Sequence, residues 1–205
     1  MAHDRGDRRR GHAGTVVDVG ANAGLMSVVA AAAGAEVIAF EPVPRSRAWT
    51  LDNLARNALT DKVDLRPQAV SDSTGVASFH IPAGGAPSSA SLGSEGFRGL
   101  DGEVVEVEVT TLDAAGLPGE IALIKVDVEG HEHEVLRGAE RTIEQSRPQL
   151  ILEVNHDGPW RAIDEWLAAH DYRAQRLDGS ARWVTSVRTL RSDRFRNLWC
   201  MPVER

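Results

Sequence analysis

The chain is short of cysteine, of positive charge and of long apolar runs, and each shortage excludes something. Cys200 is the only cysteine, so no intramolecular disulfide can form, and a reducing, cytoplasmic compartment is expected. No apolar run approaches the roughly 18 residues that a membrane-spanning helix needs, so no membrane partner is expected. The opening residues, MAHDRGDRRRGHAG, carry a basic cluster without a hydrophobic region behind it. They do not read as a secretory signal, and residues 1–14 are expected to be a solvated, disordered tail. The net charge of −7 offers no electrostatic footprint for nucleic acid. Hydrophobic content of 42% in 205 residues is enough for one core, so residues 15–205 read as a single domain.

What the chain does have is concentrated in residues 15–41, TVVDVGANAGLMSVVAAAAGAEVIAFE. Thr15 to Val19 is a β-branched apolar run broken only by Asp18, which predicts a buried parallel strand. Gly20, Asn22 and Gly24 follow, then an apolar run from Leu25 to Ala33 that stops at Gly34. Ala, Leu and Met favour helix, and a glycine just past the end suits a left-handed cap. A second apolar run, Val37 to Phe40, closes on Glu41 and Pro42. Strand, glycine turn, helix, strand and acid form a unit that holds an adenosine-containing ligand at the carboxyl ends of its strands.

The glycines bear on which ligand. A dinucleotide site wants G-x-G-x-x-G, so that backbone can approach a pyrophosphate at the helix N-terminus. Here the run reads G-A-N-A-G-L, with Asn22 in place of the second glycine. Asp18 precedes the turn, where a carboxylate repels a pyrophosphate but accepts hydrogen bonds from an ammonium. S-adenosylmethionine carries an ammonium, a sulfonium and a ribose diol, and no phosphate. Glu41 follows Gly20 at about the 20-residue spacing at which an acid reaches ribose hydroxyls. The residues therefore point to S-adenosylmethionine, with a glycine turn in some other α/β domain as the plainer alternative.

Beyond Glu41, strands and helices alternate as in a parallel sheet. Pro42 and Pro44 predict a turn and a helix start. Arg45 to Leu59 reads as an amphipathic helix with Trp49, Leu54 and Ala58 toward the sheet. Val63 to Val70 is expected as a third strand, Val76 to Ile81 as a fourth, and Val105 to Val109 as a half-exposed one. Between the last two, residues 82–102 are rich in glycine and serine and read as a lid or a flexible loop. Ile121 to Val128 is a buried strand, and from Glu132 a helix carries Val135, Leu136, Ala139 and Ile143. Leu150 to Val154 is another buried strand, and Ala162 to Ala169 a helix with Ile163, Trp166 and Leu167 on one face. Tyr172 to Leu177 and Leu198 to Val203, with no helix between, predict an antiparallel pair closing the sheet. The expected architecture is a three-layer α/β/α domain.

Five segments in this order, VVDVGANAG, FEPVP, VTTLD at Val109 to Asp113, IKVDVEGHEHEVLRGA and LILEVN, resemble the FkbM-type S-adenosylmethionine-dependent methyltransferases. Their order and spacing carry the resemblance, which runs from about Val16 to Pro202. It implies the class I, Rossmann-like methyltransferase fold, a mostly parallel seven-stranded sheet with an antiparallel last strand. It also implies O-methylation of a small metabolite such as a sugar or polyketide. Carried over by residue, it implies a methionine-side loop of Asp18, Gly20, Asn22 and Gly24. Glu41 would hold the ribose with Pro42 beside it, and Gln68 and Ala69 would edge the adenine.

Methyl transfer from a sulfonium asks the protein to align the acceptor and exclude water. A hydroxyl acceptor also needs a group to take its proton. Asp127, Glu129, His131, Glu132 and His133 cluster at the end of the strand expected over Ile121 to Val128. Asp127 and Glu129 share a face if the strand continues that far. Asp127 is expected to orient or deprotonate the acceptor, with Glu129 beside it and His131 assisting. The plainer reading is that Glu129 and Gly130 shape a turn, with Glu132 at a favourable helix N-terminus. A divalent metal is conceivable but not favoured, because the spacing matches no ligand template. Glu153, Asn155 and His156 border the same rim.

Two other readings compete. One is a catalytically impaired S-adenosylmethionine-binding scaffold, favoured by the short stretch before Thr15 and opposed by the intact Asp127-to-His133 cluster. The other is a nicotinamide-dependent oxidoreductase, disfavoured by Asn22. The expected partner is a small hydroxylated acceptor, not nucleic acid or membrane. The oligomeric state is open, and a homodimer is compatible with the sequence.

Overall fold

Apolar alternation along the first strand sets the layers. The computed structural model describes residues 14–82, 91–92, 102–155, 158–180, 182–190 and 197–203. In chain order the first half comprises β1 (Thr15–Val19), α1 (Leu25–Ala32), β2 (Glu36–Phe40), α2 (Pro44–Arg56), β3 (Val63–Arg66), β4 (Ala69–Val70), β5 (Gly75–Pro82), β6 (Ser91–Leu92) and β7 (Gly102–Thr110). The second comprises β8 (Ile121–Val126), α3 (Glu132–Arg137), α4 (Glu140–Ser146), β9 (Gln149–Glu153), α5 (Trp160–Ala169), β10 (Tyr172–Arg176), β11 (Trp183–Val184) and β12 (Asn197–Pro202). Val17 and Val19 of β1 join Val135, Leu136, Ile163 and Trp166 of α3 and α5 in the larger core. Val16 points the other way and packs with Ala30 and Ala31 of α1. The small residues on that side let α1 lie close to the sheet. The result is three layers, as expected.

The main sheet has eight strands in the order β11-β10-β12-β9-β8-β1-β2-β3. β1 pairs in parallel with β2 and β8, β2 with β3, and β8 with β9. β12 runs antiparallel between β9 and β10. This is the expected sheet with its last strand antiparallel; the two-residue β11 adds an eighth strand at the edge. The fold is a Rossmann-like α/β architecture with an antiparallel strand inserted near one edge.

Three local expectations are corrected. The strand expected over Val63 to Val70 breaks at Pro67 and Gln68, where the missing amide of proline ends the pairing. β3 stays in the main sheet, while β4 joins a second sheet of order β4-β7-β5-β6, into which Val76 to Ile81 and Val105 to Val109 also fall. The helix expected from Glu132 through Ile143 divides into α3 and α4 at Gly138. A Cβ at Gly138 would lie 2.0 Å from the Ser71 carbonyl oxygen, so the chain turns there to clear the end of β4. On α2 the buried residues are Ser46, Thr50 and Leu54. Trp49 and Ala58 are exposed, with the Arg45 guanidinium over the Trp49 ring at 4.9 Å.

Of the expected lid or loop, Ser91–Leu92 pairs with β5; residues 83–90 and 93–101 lie outside the described residues. So do residues 1–13 of the expected tail, and His156. Among the described residues no helix is long and apolar enough to cross a membrane. Cys200 is a buried free thiol.

Candidate active site

The carboxyl ends of β1, β2, β8 and β9 meet at one edge of the main sheet, where they border a cavity of 320 Å³. Gly20, Asn22, Glu41, Pro42, Gln68 and Ala69 all line it, as do Asp127 and Glu129. The second sheet supplies one wall. Phe79 and Val107 pack with Val43 and Ala69, and Phe79 faces the cavity.

The loop after β1 is fixed from several sides. Gly20 and Ala21 donate their amides to the Phe40 carbonyl at 3.0 and 3.1 Å, which keeps the loop against β2. Gly20 has φ +77, and a Cβ there would lie 1.9 Å from the Asp127 carbonyl oxygen. Asn22 has φ 52, a left-handed conformation that asparagine tolerates better than most residues. The Asn22 amide donates to Glu41 Oε2 and the Val43 amide to Glu41 Oε1, both at 2.8 Å. From α2, Thr50 Oγ1 donates to the Asn22 carbonyl at 2.6 Å and Asn53 Nδ2 to the Ala23 carbonyl at 2.8 Å. Gly24 does not line the cavity; it begins α1 with φ +79 and packs on Thr50.

Asp18 does not line the cavity either. It faces the α1 side, fully buried, and accepts a hydrogen bond from Ser27 Oγ at 2.6 Å. The ammonium it meets is the chain's own: Lys125 Nζ lies 3.7 Å from Asp18 Oδ1. Burial raises the Asp18 pKa above the usual range, with Lys125 opposing.

At the far end, the Asp127 amide donates to the Val19 carbonyl at 3.1 Å, which extends the β1–β8 pairing by one step. The strand does not continue to Glu129, whose φ of 56 is left-handed. Asp127 and Glu129 nonetheless both reach the cavity, because the turn replaces the strand. Asn155 Nδ2 donates to Glu129 Oε2, and Glu153 lines the same end. Burial raises the Glu153 pKa, and the neighbouring Asp127 charge adds to the rise. His131 stands apart from the cavity. Its Nε2 is hydrogen-bonded to Ser71 Oγ at 2.8 Å, and its Nδ1 lies 3.6 Å from Glu134 Oε2.

The sequence profile of the Methyltransferase FkbM domain matches residues 18–174. The chain belongs to that family. Among solved structures it is similar to the methyltransferase FkbM of Methylobacillus flagellatus KT, with 18% identity and a TM-score of 0.61. That match covers 97% of this chain and 46% of that one, so this chain spans about half the length of the FkbM protein it matches. An rRNA methylase from Streptococcus thermophilus is 12% identical, covering 93% and 87% of the two chains at a TM-score of 0.55. Sp1610 of Streptococcus pneumoniae, a putative tRNA (m1A22) methyltransferase, is 13% identical, covering 96% and 67% at 0.54. At these identities the likeness is one of fold. A comparison with curated protein sequences finds no match.

Within this FkbM domain, Glu132 holds the turn that carries Asp127 and Glu129. It is fully buried, and Oε1 accepts the Gly130 amide at 2.9 Å. Burial pushes its pKa up from 4.5 to about 7, so the native state binds the proton more tightly than the unfolded chain. Its contribution is therefore most favourable below pH 4.5 and is lost as pH rises through about 7. The swing is on the order of 3 kcal/mol. Glu132→Gln has no charge to bury, so its stability relative to the parent is expected to rise steadily between these pH values. Denaturant midpoints for the two proteins that stay parallel from pH 5 to about 8 would contradict this. Among the described residues no group of His, Cys, Asp and Glu is arranged to hold a metal ion.

Proposed function

We propose that this chain transfers a methyl group from S-adenosylmethionine to a hydroxyl of a small, non-anionic metabolite. The observation that carries this reading is the charge of the cavity. Glu41, Asp127, Glu129 and Glu153 line it, with no lysine, arginine or histidine among the described lining residues. That lining suits an ammonium, a sulfonium and a ribose diol, and it repels phosphate.

The chain's residues fit the cofactor. Each Glu41 oxygen accepts one backbone amide and retains a lone pair for a ribose hydroxyl. Val43, Ala69 and Phe79 offer an apolar wall for a purine. When bound, S-adenosylmethionine supplies a methyl group on a good leaving group. The chain's own work is then to hold the acceptor oxygen in line, exclude water and take the hydroxyl proton. Asp127 takes the proton. Glu129 and Glu153 accept hydrogen bonds from further acceptor hydroxyls and so select a polyol or an amino sugar.

The structural neighbours include RNA methylases by name, but the net charge of −7 and the acidic lining work against a polyanion. Transfer of labelled methyl should be measured to neutral polyols and amino sugars, to phosphorylated sugars, and to RNA. Incorporation is expected in the first group; incorporation into RNA or phosphorylated sugars alone overturns the acceptor reading. For the cofactor end, Glu41→Ala leaves ribose hydroxyls unpaired at a cost of about 1–3 kcal/mol. Affinity for S-adenosylmethionine is expected to fall about tenfold or more in a folded protein. Calorimetry returning an unchanged affinity would remove Glu41 from the site.

A further inference from the structure

Lys125 lies one residue before the end of β8, directly beside Asp18 of β1 in the parallel register. Its Nζ donates to Asp127 Oδ2 at 3.0 Å and to the Gly20 carbonyl at 3.3 Å, and lies 3.7 Å from Asp18 Oδ1. Two of these oxygens accept hydrogen bonds from the ammonium, and the Asp18 carboxylate adds an ion pair. The oxygens belong to three separate parts of the site: the proton-accepting end, the cofactor loop and the buried strand beneath it. Asp18 Oδ1 has no hydrogen-bond partner among the described residues, so Lys125 supplies the charge that makes its burial tolerable. The Lys125 side chain is only 15% exposed, against 29% for Asp127.

We propose that Lys125 is a positioning residue for methyl transfer: it fixes the Asp127 carboxylate relative to the cofactor loop, using Asp18 as its anchor. The proposal rests on the reading of Asp127 as proton acceptor. Asp127 shares its end of the cavity with Glu129 and Glu153, and like charges there favour rotation of its carboxylate away toward solvent. The ammonium holds it in place, and it also acts on Glu153. Through the Gly20 carbonyl, the same group sets the distance between the loop that holds the cofactor and the carboxylate that meets the acceptor. Lys125 acts through Asp127 and does not itself line the cavity.

The test compares Lys125→Met, Asp127→Asn and the double variant by labelled-methyl turnover, with S-adenosylhomocysteine affinity read by calorimetry. Lys125→Met is expected to lower kcat by about 10–100-fold, the size of effect expected from misplacing a reacting group. Cofactor affinity should change by less than about tenfold. The double variant should be no slower than Asp127→Asn alone, because the two residues act as one unit. A purely structural lysine would instead give losses that multiply in the double variant, and that result overturns the proposal. Near-normal turnover in Lys125→Met beside a slow Asp127→Asn overturns it while sparing the Asp127 reading. Near-normal turnover in Asp127→Asn overturns both. If Lys125→Met leaves Asp18 uncompensated and fails to fold, Asp18→Asn/Lys125→Met removes both charges of that buried pair. That variant is expected to fold and to remain slow, and full activity in it overturns the proposal.

Discussion

Asp127→Asn is expected to lower turnover by about 10²–10⁴-fold, the usual cost of losing a general base, while S-adenosylmethionine affinity barely changes. The substitution keeps the shape of the side chain and an oxygen for Lys125 Nζ, which now reaches Asp127 Oδ2 at 3.0 Å. It removes the charge proposed to accept the hydroxyl proton. The cofactor contacts proposed for Gly20, Asn22 and Glu41 lie elsewhere along the cavity, so binding and chemistry should separate cleanly in the two measurements. Near-normal turnover on a true acceptor makes Asp127 structural and moves the proton to Glu129 or Glu153 at the same rim.

Gly20→Ala is expected to cost both stability and cofactor binding. The new Cβ would lie 1.9 Å from the Asp127 carbonyl oxygen at φ +77. Backbone cannot swing aside like a side chain, so the loop or the end of β8 must move. Left-handed backbone alone costs about 1–2 kcal/mol for a non-glycine residue, and the clash adds about 1–3 kcal/mol. Gly34→Ala is the control. It also has positive φ, at +94, but a Cβ there meets nothing within 4 Å. Denaturant unfolding should therefore show a clearly larger loss for Gly20→Ala, accompanied by weakened cofactor binding that Gly34→Ala does not share. Equal losses in the two variants would mean that the Gly20 contact with Asp127 yields freely.

Much of the scaffold was legible because the chain writes it locally. β1, α1 and β2 announce themselves through apolar runs and glycines, and the turn that follows β8 is marked by the run of acids after Val126. Glu41 and Asp127 converge on one cavity, as their positions just past strand ends predict for an open α/β sheet; Gln68 and Ala69 reach it through the break after β3. Lys125, Thr50, Asn53 and Phe79 were not legible as site residues, because each acts across the tertiary structure. Lys125 reads in sequence as a charge interrupting a buried strand. That interruption, placed two residues before an acid and in register with another, was the available signal. Thr50 lies on the buried face of α2, where a polar residue needs a partner; that partner is 28 positions away in the loop.

Asp18 shows the opposite case. Its position two residues before Gly20 invited an ammonium, but strand alternation turns it to the α1 side, where Ser27 and Lys125 receive it. His131 likewise belongs to the acidic cluster in sequence and not to the cavity in space. The break at Pro67 and the turn at Gly138 depend on a second sheet that no local pattern specifies, and that sheet supplies the Phe79 wall.

Calorimetric titration of the protein with S-adenosylhomocysteine, with NAD as the comparison ligand, decides whether the acidic cavity is a cofactor site. Saturable binding of S-adenosylhomocysteine at one per chain is expected, weakened by about tenfold or more in Glu41→Ala, with no binding of NAD. A folded protein that gives no heat with S-adenosylhomocysteine, or that takes NAD in its place, would contradict that assignment.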